Sequence, residues 1–130
     1  MKSIFLFLSA VSAFSGVAMG AFGAHGLRNT LAPEMLVVYQ TGVTYQVWHA
    51  LGLGLIALLA SRVPTSKLLS WAGWLMFAGI VLFSGSLYLL AISGAKWLGM
   101  LTPFGGTAWL LAWLLTGVYA LKSNEGQDHA

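Results

Sequence analysis

The stretch LLSWAGWLMFAGIVLFSGSLYLLAI, Leu68 to Ile92, decides the fold, because it carries no charged side chain from end to end. An α-helix crosses roughly 30 Å of hydrocarbon with about 20 mostly apolar residues, so this stretch is long enough to span a bilayer. Three more have the same character: Ile4 to Ala24, Val43 to Ser61 and Leu101 to Leu121. Almost every charge lies between these stretches or beyond the last. The expectation is an all-α membrane protein with four transmembrane helices in an up-and-down bundle. It forms a single domain over residues 1–122, with spans at about 4–24, 43–61, 68–92 and 101–121. Residues 123–130 are expected to be a polar, disordered C-terminal tail.

Composition agrees, since 58% of the 130 residues are hydrophobic and 7% charged. A water-soluble domain with that balance would lack the polar surface it needs. The net charge of +3 comes from basic residues scattered through the connections, which suits lipid headgroups better than the clustered footprint of a nucleic-acid binder, so no nucleic-acid partner is expected. There is no cysteine, and thiol nucleophiles, thiolate metal ligands and disulfides are excluded.

Lys2, the apolar run from Ile4, and Ala18 and Gly20 before Ala21 also fit a secretory leader. Length and spacing favour a retained helix. Ser12, Gly16, Gly20 and Ala24 recur every fourth residue, the small-xxx-small stripe that lets membrane helices approach closely. The last span repeats the pattern with Ala108, Ala112, Thr116 and Ala120. First and last helices are neighbours in an up-and-down bundle, so these two stripes are expected to pack on each other.

Lys2, Arg62, Lys67 and Lys122 fall at one end of such a bundle and Arg28 and Lys96 at the other. That bias predicts both termini in the cytoplasm. Trp71, Trp74, Trp97 and Tyr119 sit where interfacial aromatic belts form.

The first connection is unusual. Pro33 suits a first helical turn, Glu34 complements the helix dipole, and no second proline interrupts before Ser61, Gly42 being the first glycine on the way. A helix from Pro33 would run about 43 Å and would have to tilt, bend or project. Along it Tyr39, Gly42, Gln46 and His49 share one face, a polar stripe running into the apolar region, with Tyr45 and Trp48 to one side.

An ionisable group at membrane depth marks a functional position by default, which puts His49 first among the candidates. Its structural alternative is a neutral ring bonded to a hydroxyl or carbonyl of another helix, such as Ser84, Ser86 or Tyr88. His25 ends the first span and could cap that helix. Two histidines are too few to define a metal site, and none is expected. In Thr102-Pro103-Phe104-Gly105-Gly106, Thr102 fits an N-cap, and the glycines would either expose amides to an anion or admit a close helix approach.

Four motifs in order, Gly20-Ala21-Phe22-Gly23-Ala24-His25, Tyr45-Gln46-x-x-His49-Ala50-Leu51, Phe83-Ser84-Gly85-Ser86-Leu87-Tyr88 and Thr102-Pro103-Phe104-Gly105-Gly106, resemble the signature stretches of the YgdD-like family of small inner-membrane proteins. That family is classed as a domain of unknown function and is similar to vertebrate transmembrane protein 256. The resemblance covers nearly the whole chain. It implies a four-span, multi-pass protein of the bacterial inner (plasma) membrane and brings no catalytic residues with it.

Three function classes stay open. Transport of a small solute or protons would rest on His49 alone, since Glu34, Glu125 and Asp128 all lie outside the four spans. A membrane-embedded enzyme would have to pair His49 with Ser84, Ser86, Tyr39 or Tyr88. A binding or scaffold protein asks least: a lipid, an apolar small molecule or partner helices, held without cofactor or catalytic residue in a pocket between the second and third spans. Tyr39, Gln46, His49, Ser84, Ser86 and Tyr88 would line that pocket, with His25, Gly105 and Gly106 near one surface. Membrane lipids are the expected partners, with homo-oligomers or other membrane helices a further option through the small-residue stripes.

Overall fold

The computed structural model describes the backbone of residues 3–128 and the side chains through residue 123. Helix α1 (Ile4–His25) starts at Ser3, whose Oγ accepts from the Leu6 amide. Helix α2 (Pro33–Arg62) opens on proline, which spends none of the unpaired amides of a first turn. Helix α3 (Lys67–Gly79) is capped by the Ser66 hydroxyl, leads into a π-helical turn at Ile80–Ser84, and continues as α4 (Gly85–Ser93). Gly94, at φ 73°, ends α4 in the left-handed region that a side chain disfavours. A 3₁₀ turn (Lys96–Met100) then leads to α5 (Thr102–Asp128). Four helical segments are long and apolar enough to cross a membrane, and among the described residues there is no strand.

Two spans differ in extent from expectation. Helix α2 is unbroken through Gly42, about 45 Å of helix, so it outreaches the hydrocarbon as its sequence demanded. Helix α5 runs to Asp128 rather than ending at Leu121, which takes helix into the stretch expected as a disordered tail. Lys2 and the last residues of that tail, 129 and 130, lie outside the described residues.

Consecutive spans run antiparallel. Across α1 and α2 the Ser9 hydroxyl donates to the Ala50 carbonyl (2.7 Å) and the Tyr39 hydroxyl to the Met19 carbonyl (2.6 Å). Across α2 and the third span, Ser84 donates to the Gly42 carbonyl (2.7 Å). Between the third span and α5, the Trp109 indole donates to the Met76 carbonyl (3.0 Å).

The small-residue stripes do not meet each other. Helix α1 packs along α2 and α5 along α3, while α1 and α5 barely touch. Gly16 and Gly20 face Val47 and Val43, and Gly23 faces the Tyr39 ring, so the α1 stripe receives α2. Ala112 is fully buried with Ile56 and Met76 in the main core. The reason is reciprocity of shape: a stripe of small residues is filled by bulky ones, and a second flat stripe would leave voids.

Crossings are made where an aromatic ring lies on a glycine. Phe5 covers Gly73, Trp113 covers Gly52, and Trp109 lies so close on Gly79 that a β-carbon there would overlap the indole. Gly105 meets the Phe83 backbone in the same way. This closest approach of α5 coincides with the π-helical turn, where the Gly85 amide reaches back to the Ile80 carbonyl. One extra residue in the turn re-aims the side chains that follow.

The outer surface is apolar: Phe14, Leu110, Phe7 and Leu58 are exposed, whereas Ser9, Ser12, Gln46, His49, Ser84 and Ser86 are buried. That inversion is the arrangement of a chain surrounded by lipid. Trp71, Trp74 and Trp97 are all exposed, and Trp74 also packs edge-on against Phe5 (5.3 Å).

Gly79→Ala is expected to destabilise the fold by about 1–3 kcal/mol through overpacking against Trp109. Gly117→Ala, with open space around its α-carbon, should stay within about 0.5 kcal/mol of the parent. Reversible unfolding in mixed micelles measures both, and equal stabilities would contradict the ring-on-glycine crossing.

Candidate ligand-binding site

The polar stripe of α2 is buried but faces two directions. Tyr39 and Gln46 turn toward α1 and α4. The Gln46 side-chain amide donates to the Ser12 carbonyl and to the Ser15 hydroxyl, both at 2.8 Å, and its oxygen accepts from the Tyr88 hydroxyl at 2.6 Å. The Tyr88 ring leans on Tyr39 at 5.2 Å and covers Gly42. Three spans are tied together here, and every polar atom of Gln46 is used.

Ser84 and Ser86 are likewise committed, Ser84 to Gly42 and Ser86 to the Phe83 carbonyl (2.9 Å) and the Thr102 hydroxyl (2.6 Å). Tyr39, Gln46, Ser84 and Tyr88 therefore form a packed seam between the second and third spans where a pocket was expected. Thr102 begins α5 paired with Ser86, and the Leu101 carbonyl accepts from the Phe104 and Gly105 amides. The expected threonine N-cap is thus replaced, and those amides are taken. Gly105 serves close approach to Phe83.

His49 turns the other way, toward α5. Its ring lies flat on the Trp109 indole, centroids 3.7 Å apart and planes 8° from parallel. Nδ1 is 2.8 Å from the Tyr45 carbonyl on its own helix, whereas a partner on another helix was expected. Trp109 also meets Phe83 (4.6 Å), and Phe83 meets Tyr45 (5.1 Å). These rings wall a groove of about 370 Å³ whose floor and rim include Pro103, Gly106, Thr107 and Trp113. Leu110, Trp113 and Tyr45 at its edge are exposed, so the groove opens on the lipid-facing side. His49 stands about 24 Å from Pro33 and about 20 Å from Arg62 along α2, at membrane depth.

Of the nine expected site residues, His49 and Gly106 line this groove, and Gly105 supports it from behind. His25 is exposed at the end of α1, on the level above Tyr39, roughly 15 Å along the bundle from His49. The two histidines cannot share a metal ion or a proton. The sequence reading missed Tyr45, Phe83, Trp109 and Trp113 as a set. Trp109 and Trp113 are one helical turn apart, the available signal of a common face, but nothing local paired that face with His49.

Residues 19–106 match a family described as "Protein of unknown function (DUF423)". The chain belongs to this family. It is also similar to the UPF0382 membrane protein YwdK of Bacillus subtilis, 47% identical over 119 residues that cover 92% of this chain and 97% of the relative. The UPF0382 membrane proteins of Staphylococcus epidermidis (44% identical; 92% and 96%) and of Staphylococcus saprophyticus (44%; 92% and 98%) are similar over the same extent. No solved structure matches the chain. The DUF423 match takes in the Tyr45–His49 segment, Phe83 and Gly106, but stops before Trp109 and Trp113.

Gln46→Leu keeps the size of the side chain and strands the Tyr88 hydroxyl. In lipid the loss is expected to be about 1–2 kcal/mol, read as a lowered midpoint of unfolding in micelles. Tyr88→Phe in the same background should cost almost nothing further, because the pair acts as a unit.

Proposed function

We propose that this membrane protein binds a neutral apolar molecule, a lipid or another membrane-dissolved compound, in the groove between α2 and α5. Packing and hydrogen bonding do the work, with no covalent chemistry. The observation that carries this reading is His49: it is 8% exposed, stacked on Trp109, and set in the wall of an aromatic groove that opens toward hydrocarbon. Such a groove suits chains and rings, because its lining carries no charged residue other than what His49 could take up. The hydroxyls of Tyr39, Ser84, Ser86 and Tyr88 all bond elsewhere, so none of these four is free to pair with His49 as an enzyme reading would need.

The setting we infer is a bacterial inner membrane with both termini in the cytoplasm. Arg62, Lys67 and Lys122 gather at one end of the bundle, and only Arg28 and Lys96 are at the other. Fusions at the C-terminus test it: green fluorescent protein should fluoresce and alkaline phosphatase stay inactive, and the opposite pair of results would invert the topology.

Native mass spectrometry from gentle detergent tests the binding itself. The parent chain should carry a co-purified apolar adduct, and Gly106→Leu, which fills the groove, should lose at least about nine-tenths of it. Equal occupancy in the two proteins would remove the groove as the binding place. A pH-dependent solute flux in liposomes that vanishes in His49→Ala would instead favour transport.

A further inference from the structure

We infer that the groove selects a ligand bearing a hydroxyl, held by His49 Nε2 as hydrogen-bond acceptor. This rests on the binding proposed above and adds the chemistry of the ligand's head. The neighbour of His49 Nδ1 at 2.8 Å is the Tyr45 carbonyl oxygen, and a carbonyl can only accept, so Nδ1 carries the proton. The chain's three acidic residues, Glu34, Glu125 and Asp128, stand toward helix ends, and none is placed in the middle of a span to hold an imidazolium at this depth. A neutral imidazole has one donor and one acceptor nitrogen, which makes Nε2 a bare acceptor.

No described residue donates to Nε2. Yet among the described residues no side-chain nitrogen or oxygen is both fully enclosed and unpaired, so Nε2 keeps an opening, and the groove that His49 lines is beside it. Gln46, Tyr39, Tyr88, Ser84 and the Trp109 indole are all bonded within the bundle. Water is scarce at this depth, so the partner must come dissolved in the membrane and must donate. A long-chain alcohol does this: its hydroxyl meets Nε2 while its chain lies along Phe83, Pro103 and Leu110 toward the lipid. An ether or ketone of the same length has no proton to offer. Tyr45 and Trp113 have donors of their own at the exposed rim, where an oxygen acceptor could add a weaker contact, but neither fills the need of Nε2.

Geranylgeraniol and its methyl ether, identical along the chain and differing in that one proton, are the probes. Titrated against the protein in micelles with native mass spectrometry as readout, the alcohol should bind about fivefold to tenfold tighter, the weight of one neutral hydrogen bond. His49→Phe keeps a flat ring on Trp109 and removes the acceptor, so the preference should vanish and the two probes should bind it equally. Should that variant fail to fold, ¹⁵N spectra of the histidine-labelled parent decide: the Nε2 signal of His49 should shift with the alcohol and not with the ether. Equal affinities for both probes, each lost in Gly106→Leu, overturn the donor selection and leave the groove standing. Absence of binding by either probe overturns both, whereas an unmoved Nε2 signal with the alcohol bound at Gly106 overturns the donor selection alone.

Discussion

Aromatic rings seated on glycines hold this bundle together. In water, helices are driven together by expulsion of solvent from apolar faces, but lipid tails are as apolar as leucine, so what remains is contact area and hydrogen bonding. A ring over a glycine maximises the first: the helix axes approach by the thickness of a missing side chain, and the ring covers backbone that nothing else could reach. Phe5 on Gly73, Tyr39 on Gly23, Tyr88 on Gly42, Trp113 on Gly52 and Trp109 on Gly79 place such a contact at each main crossing. The π-helical turn at Ile80–Ser84 sits where two of these approaches, Gly79 and Gly105, crowd the third span from the same side.

Hydrogen bonding supplies the rest, and it is distributed unevenly. The seam of Tyr39, Gln46, Ser84 and Tyr88 saturates its own polar groups, binding α1, α2 and the third span into one unit. Helix α5 is held differently, by the Trp109 indole on the Met76 carbonyl and by Ser86 on Thr102. Between the saturated seam and the loosely bordered α5 lies His49, bonded at one nitrogen only. Stability and the candidate function are therefore carried by neighbouring residues of the same polar stripe, one turn apart on α2, which face different helices. The fold tolerates a groove there because stacking on Trp109 supports the ring without closing its far edge.

How much of this could be read beforehand differs from residue to residue. Pro33 and the unbroken run after it announced a helix longer than the membrane, and α2 is one. His49 and Gln46 stood out because polar groups in an apolar run must be explained, and both are buried. What they touch was not legible. Gln46 needed Ser12, Ser15 and Tyr88, residues from two other spans, and His49 turned out to bond its own helix and stack on Trp109. Spacing within one helix fixes which residues share a face, but it says nothing about which neighbour that face meets. The two small-residue stripes show the same gap: each was visible, and pairing them with one another was wrong, since small stripes receive bulky side chains.

Taken alone, the order of residues determined the solvent, the number of spans, the ends of most helices and the identity of the groups that lipid could not leave unpaired. These follow from local quantities: run length against hydrocarbon thickness and the cost of polarity without water. Only the tertiary structure decided that Tyr39, Gln46, Ser84 and Tyr88 close into a seam while His49 opens on a groove with Tyr45, Phe83 and Trp109. Helix rotation and crossing are set by contacts between residues distant in the chain, and a rotation of one helix by a fraction of a turn exchanges a saturated polar group for a free one.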